Sequence, residues 1–218
     1  MISKLAGAIV GAAVLSLVGA ASPANASINF DDIPNAGTGT LIANGYHGLD
    51  WTNFYATNSS DDGLSGYANN EASAPNVAYN GYGGVSEVLS ATNFTLNSFD
   101  LGAAWNNGLT VVVEGLEDGH IIDATDFVVS ATGPAQLKTL DWSGIDELTF
   151  FTFGGNNAGY NGQGTQFVLD NLDIAGPGVT GGTPEPSIWA LAFVGVGLAG
   201  WRLRSQRRSA TRAAAVIA

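Results

Sequence analysis

The sequence predicts an all-β protein: a β-sandwich or jelly-roll ectodomain flanked by an N-terminal signal helix and a C-terminal single transmembrane helix. Three observations carry this expectation. Between residues 27 and 183, short β-branched and aromatic runs alternate with Gly/Asn/Asp clusters. No helix-period stretch interrupts them. Two long apolar runs, Leu5–Ala21 and Ile188–Trp201, stand instead at the two chain ends.

The first element, residues 1–26, reads as a signal peptide. Lys4 supplies the positive start and the apolar run follows. Ala24 and Ala26 place small residues at −3 and −1, so signal peptidase is expected to cut after Ala26. The alternative is an uncleaved anchor, against which stands Pro23, a helix breaker just before the cut.

The ectodomain, residues 27–175, follows. Strands are expected near Ile28–Phe30, Leu49–Tyr55, Val77–Tyr79, Val85–Leu89, Phe94–Trp105, Leu109–Glu114, His120–Ser130, Gln136–Asp141, Glu147–Phe153 and Gln166–Ile174. The alternation Leu109, Val111, Val113 marks one buried face. It slips between Leu96 and Phe99, where Asn97-Ser98 fits a bulge. Asn106-Asn107-Gly108 and Glu117-Asp118-Gly119 read as hairpin turns, because Asn, Asp and Gly tolerate positive φ. About ten short strands suit a sandwich or jelly roll. The expected core is Trp51, Phe54, Phe94, Phe99, Trp105, Phe127, Trp142, Phe150, Phe151 and Phe167. The Gly/Asn-rich stretches Ser59–Asn76 and Gly154–Gly164 read as surface loops.

Residues 176–183 form a Gly-rich linker. Residues 184–208 hold Pro184-Glu185-Pro186, the apolar run, and a cluster that includes Arg202, Arg204, Arg207 and Arg208. Fourteen apolar residues span about 21 Å as a helix, against roughly 30 Å of hydrocarbon. Snorkelling arginines lengthen that reach, and Trp189 and Trp201 suit the two interfaces. The arginines are expected to stay cytoplasmic, which leaves the ectodomain outside the inner membrane. Residues 209–218 are a short tail.

This ordered triplet, span and Arg cluster resembles the PEP-CTERM sorting signal of Gram-negative exported proteins. The resemblance covers Thr183 to about Arg208 and implies processing by an exosortase, then release to the cell surface or an exopolysaccharide matrix. Pro184, Glu185 and Pro186 are the matching positions. The tail after Ser209 departs from the family, whose members usually end soon after the arginines. An ordinary C-terminal anchor with a proline-bearing linker is the alternative.

Charge narrows the chemistry. The chain has 19 acidic and 7 basic residues, 2 histidines and no cysteine. Disulfides, Cys-ligated zinc and a cysteine nucleophile are therefore excluded. Residues 27–183 carry 18 acids against Lys138 alone. Such a surface argues against nucleic acid as a partner. His47 and His120 lack a Gly-x-Ser-x-Gly elbow to serve and read as turn or surface residues. A carboxylate pair for glycan hydrolysis can be counted but not located.

Phe30-Asp31-Asp32, Gly48–Phe54, Phe99–Trp105 and Phe167–Leu172 together look like the jelly-roll ectodomains that commonly precede this sorting signal. More distantly, they look like galactose-binding-like carbohydrate-binding modules. That resemblance implies a structural calcium joining first strand to last, with Asp31 and Asp170 as candidate ligands and Asp32 and Asp173 behind them. Solvated edge charges or turn caps are the alternative. Sugar recognition calls for aromatic faces beside Asn, Asp and Gln. Tyr46, Trp51, Tyr55, Tyr67, Tyr79, Tyr82 and Tyr160 all qualify, and Tyr46, Tyr82 and Tyr160 are favoured because they lie in Gly/Asn loops. The expected function is non-enzymatic association with extracellular polysaccharide or biofilm matrix. A protein-binding adhesive coat and a glycan-active hydrolase are the alternatives.

Overall fold

The computed structural model describes residues 25–180, apart from 35 and 62. The signal run with Ala24, the sorting motif Pro184–Pro186, Trp189, Trp201, the arginines and the tail lie outside the described residues.

The described chain is all-β and antiparallel. Its strands are β1 (Asn25–Ile28), β2 (Thr40–Leu41), β3 (Asp50–Thr52), β4 (Phe54–Asn58), β5 (Asn76–Asn80), β6 (Ser86–Ala103), β7 (Asn106–Glu117), β8 (His120–Ser130), β9 (Gln136–Asn157) and β10 (Phe167–Ala175). The hydrogen-bonded order is β2-β4-β5-β10-β6-β9-β7-β8, with β1 on β10 and β3 on β6. Four strand steps separate β4 from β9, roughly 19 Å in a flat sheet. Yet the rings of Phe54 and Phe150 lie 5.8 Å apart, edge to face. The sheet therefore folds over and packs its two inner faces together, as a β-sandwich does.

The fold is made by two strands that run through both layers. β6 pairs Ser86–Leu89 with Glu147–Phe150 in one layer and Phe94–Leu101 with Gln136–Ile145 in the other. The register shifts between Leu89 and Phe94, which is where the pair bends. A further shift between Leu96 and Ser98 is the bulge expected at Asn97-Ser98. Each of these strands was expected as two separate ones. The exposed residues 91–93 and Ser143 interrupt the apolar pattern although the backbone ladder continues. Conversely, Leu49–Tyr55 divides into β3 and β4 at Asn53, which takes φ 55.

Period-two alternation sorts the side chains. Leu109, Val111 and Val113 face inward, as do Phe54, Phe99, Phe150 and Phe167. Phe127 and Trp142 lie against that core half-buried, and Phe151 points outward. Glu117-Asp118-Gly119 is a hairpin turn, with φ 50 at Asp118 and 74 at Gly119 and Glu117 opposite His120. Asn106-Asn107-Gly108 is not. β6 does not pair with β7, and Asn106 and Asn107 already ladder with Asn157 and Asn156. Positive φ at Gly108 serves a register shift within β7 instead. Likewise β9 continues through Asn157, taking the first four residues of the expected 154–164 loop into the sheet.

The linker also begins later than expected. Val179 is buried in the main core, and the Thr180 N–H donates to the His47 carbonyl at 3.0 Å. Thr92 Oγ1 donates to the Pro177 carbonyl at 2.7 Å. Residues 176–180 are thus seated on the domain.

Candidate functional site

On β4, β5 and β10 alternate residues leave the main core for the opposite face. Phe54, Ala56, Ala78, Phe167 and Leu169 point in, whereas Val77, Tyr79 and Val168 point out. There they meet Tyr67 and Trp105 in a second, smaller apolar cluster. Above it opens a cleft of about 630 Å³, walled by Tyr55, Tyr67, Tyr79, Tyr82 and Trp105 and edged by Thr57, Asp61 and Gln166. Tyr55 and Tyr79 stack with centroids 5.8 Å apart and planes at 28°. Tyr67 meets Tyr79 at 5.2 Å and Trp105 at 5.5 Å, both edge to face. These contacts fix ring orientations that isolated surface tyrosines would not hold.

Two features keep the cleft open. Gly39, at φ 84, and Gly81 line it, and a Cβ at either would strike the Tyr79 hydroxyl or the Tyr55 ring. Gly162 lies flat against the Trp105 ring, where a Cβ would collide with it. The loop from Ser59 to Pro75 forms one wall, and its backbone is tied down. Buried Asn70 donates to the carbonyls of Gly66 and Ala103 at 2.9 and 3.1 Å. Ser59 bonds Glu71.

Tyr82 sits on the rim in an unusual state. It is 95% exposed and takes φ 55, ψ 19, a left-handed conformation that L-residues avoid. The loop is clamped around it. Asn53 Nδ2 donates to the carbonyls of Gly81 and Val85 at 3.1 and 2.9 Å. Asn80 Nδ2 donates to the Gly84 carbonyl at 2.9 Å. Three side-chain-to-backbone hydrogen bonds thus hold the loop that carries this ring into water, and strain of this kind concentrates at binding sites.

The other residues expected to bind are placed differently. Tyr46 packs on Phe30 and Trp51, and its hydroxyl donates to Asp32 Oδ1 at 2.6 Å. Burial, then the Asp32 hydrogen bond, push that phenol far above its ordinary range. Tyr46 is a structural residue. Tyr160 accepts a hydrogen bond from Asn69 at 2.7 Å and lies against the main core. Of the three favoured tyrosines, the structure brings only Tyr82 to the cleft. Trp105, expected in the core, is the cleft residue that sequence reasoning missed. Its position two residues past the end of β6, beside Gly-rich 159–164, was the available signal.

The expected calcium pair has other partners. Asp170 is fully buried and accepts from the N–H groups of Ala72, Ser73 and Asn171 at 2.9, 2.6 and 2.8 Å, and from Ser73 Oγ at 2.9 Å. Both its oxygens are occupied by donors, which is the opposite of what a cation requires. Burial pushes its carboxyl up to about 6, against the pull of those hydrogen bonds. Asp31 Oδ1 accepts the Asn76 N–H at 3.0 Å. Asp173 accepts from Asn97. Among the described residues no three acids or histidines converge on a common point. Asp31 and Asp170 are loop fasteners rather than ligands of one ion. His47 and His120 are turn residues, their Nδ1 atoms at the carbonyls of Thr180 and Asp118.

No family model and no curated protein matches the chain. Solved structures align with parts of it at low identity. A DUF4465 family protein from Bacteroides ovatus aligns with 9% identity over 63% of this chain and 82% of that one, at a TM-score of 0.42. The carbohydrate-binding module TmCBM61, solved with β-1,4-galactotriose, aligns with 11% identity over 68% of this chain and 98% of that one, at 0.32. The M60 catalytic domain with two CBM51 domains of ZmpB, from Clostridium perfringens, aligns with 15% identity over 45% of this chain and a tenth of that one, at 0.29. Likenesses of this degree assign neither ligand nor activity.

Proposed function

We propose that this protein is an exported, non-enzymatic glycan-binding protein of the cell surface or extracellular matrix, delivered by an exosortase that reads Pro184-Glu185-Pro186. The observation that carries the binding half is Tyr82, held exposed and strained at the rim of a cleft with four other aromatic side chains. Rings fixed in this way offer flat apolar faces to the C–H side of a pyranose, while Thr57, Asp61 and Gln166 reach its hydroxyls. Among the described residues a single carboxylate, Asp61, lines this cleft. Glycosidic hydrolysis uses a pair flanking the scissile bond, so binding is favoured over cleavage. The sorting half rests on the order triplet, apolar span and arginines in the sequence.

Affinity electrophoresis against the organism's own purified exopolysaccharide tests the binding. Retardation that Tyr82→Ala abolishes supports it, and unretarded wild-type protein refutes it. Replacing Pro184-Glu185-Pro186 by alanines tests the sorting, and unchanged release into the medium would sink that half. A second reading, an adhesive coat protein, draws on the outward face of β7, β8 and β9. There Phe153 and Val128, 55% and 61% exposed, flank Thr110. It predicts that Phe153→Ser, not Tyr82→Ala, disrupts surface attachment.

A further inference from the structure

We propose that the cleft is selective for an amino sugar carrying a free ammonium, received by Asp61 at the edge of the aromatic walls; this rests on the glycan reading above. The charged group at the edge of the cleft, among the described residues, is Asp61. Asp61 borders both the aromatic cleft and an adjoining compartment of about 430 Å³. Among the described residues its one hydrogen bond is through the backbone N–H, to the Asn58 carbonyl at 3.1 Å. Its carboxylate is unclaimed.

No cation of the ectodomain competes for this carboxylate. Lys138 lies over the Phe127 ring at 4.8 Å and donates to Gln136 at 2.8 Å, away from the cleft. The histidines are held at backbone carbonyls. An ammonium only donates and carries the opposite charge, so it matches an unclaimed carboxylate better than a neutral hydroxyl does. Tyrosine and tryptophan faces that stack on a pyranose also attract cations. The acidic domain raises the local concentration of cations, and an amino-sugar polymer repeats its charge along the chain.

The test titrates the purified full chain with glucosamine oligomers and with N-acetylglucosamine oligomers of equal length, below the pKa of the amine. Wild-type protein is expected to prefer the ammonium form by up to about fivefold, the scale of a solvent-accessible ion pair. Asp61→Asn should erase the preference while leaving the acetylated oligomer bound as before. Glu114→Gln, on the outer face of β7, should leave the preference intact. Equal wild-type affinity for the two oligomers overturns the ammonium site and leaves the glycan reading standing. A loss of preference with Glu114→Gln equal to that with Asp61→Asn also overturns it, by assigning the effect to general charge. Binding of neither oligomer overturns it too, while retardation on the native exopolysaccharide judges the glycan reading separately.

Discussion

Replacing Tyr82 by glycine separates what the residue does for the fold from what it does for binding. Tyr82 holds φ 55, a conformation that costs an L-residue roughly 1–2 kcal/mol and glycine almost nothing. Glycine gives back about 0.5–1 kcal/mol through the greater freedom of the unfolded chain. At 95% exposure the ring contributes no burial that the substitution could lose. The net expectation is a variant as stable as wild type, or up to about 1 kcal/mol more stable. Binding should move the other way. A stacking face contributes roughly 0.5–1.5 kcal/mol, so affinity for the polysaccharide should fall about two- to thirteenfold. Urea unfolding reads the first quantity and titration calorimetry the second. A variant destabilised by more than about 1 kcal/mol would show that the ring packs, and unchanged affinity would remove Tyr82 from the site.

Asp170→Asn turns an amide N–H₂ toward the Ala72 and Ser73 N–H groups, and should cost about 2 kcal/mol at neutral pH, with relief from the buried charge offsetting part of the loss. Equal denaturation midpoints would refute that role. In the wild type, burial raises Asp170 from 3.8 to about 6 on folding. The unfolded chain therefore ionises first, so this group's contribution is full below about pH 4 and declines by about 3 kcal/mol as pH rises through 6. The stability gap between wild type and Asp170→Asn should widen toward pH 4, and a pH-independent gap would count against the shift. Gly39→Ala should weaken polysaccharide binding at least severalfold, because its Cβ meets the Tyr79 hydroxyl, and full binding would mean the cleft floor yields. Chelator should leave the melting temperature of the purified protein within about 1 °C, whereas a drop of several degrees would restore the case for bound calcium.

The strands were legible because each buries one face in the main core, and burial on one face writes a period of two. The continuity of β6 and β9 was not. Their bend keeps the ladder while Thr92 and Asn93 meet solvent, so the pattern pauses where the backbone does not. The turn at Asp118-Gly119 was legible from local φ demands alone. Asn106-Asn107-Gly108 makes the same local demand in a shift within a strand, because tertiary pairing chooses between the two uses. The cleft was half legible. Composition pointed to tyrosines near Asn and Gly but could not rank them. Tyr46 and Tyr160 share that neighbourhood with Tyr82 and differ only in partners distant in sequence, Asp32 and Asn69. Asp170 was read as a metal ligand because its donors, Ala72 and Ser73, lie almost a hundred positions away.

One strand sets how the domain faces its surroundings. β10 leaves the cleft just after Gln166 and ends at Ala175, opposite Asn25 of β1. Nine residues of strand place those ends about 30 Å apart. Asn25 and Ala175 therefore lie toward one end of the domain, and the aromatic rings open near the other. Under the proposed anchoring through the sorting segment, the cleft would face away from the anchored end. Its reach to a polymer would then be set by the length of the suspending chain, with no rearrangement of the sandwich.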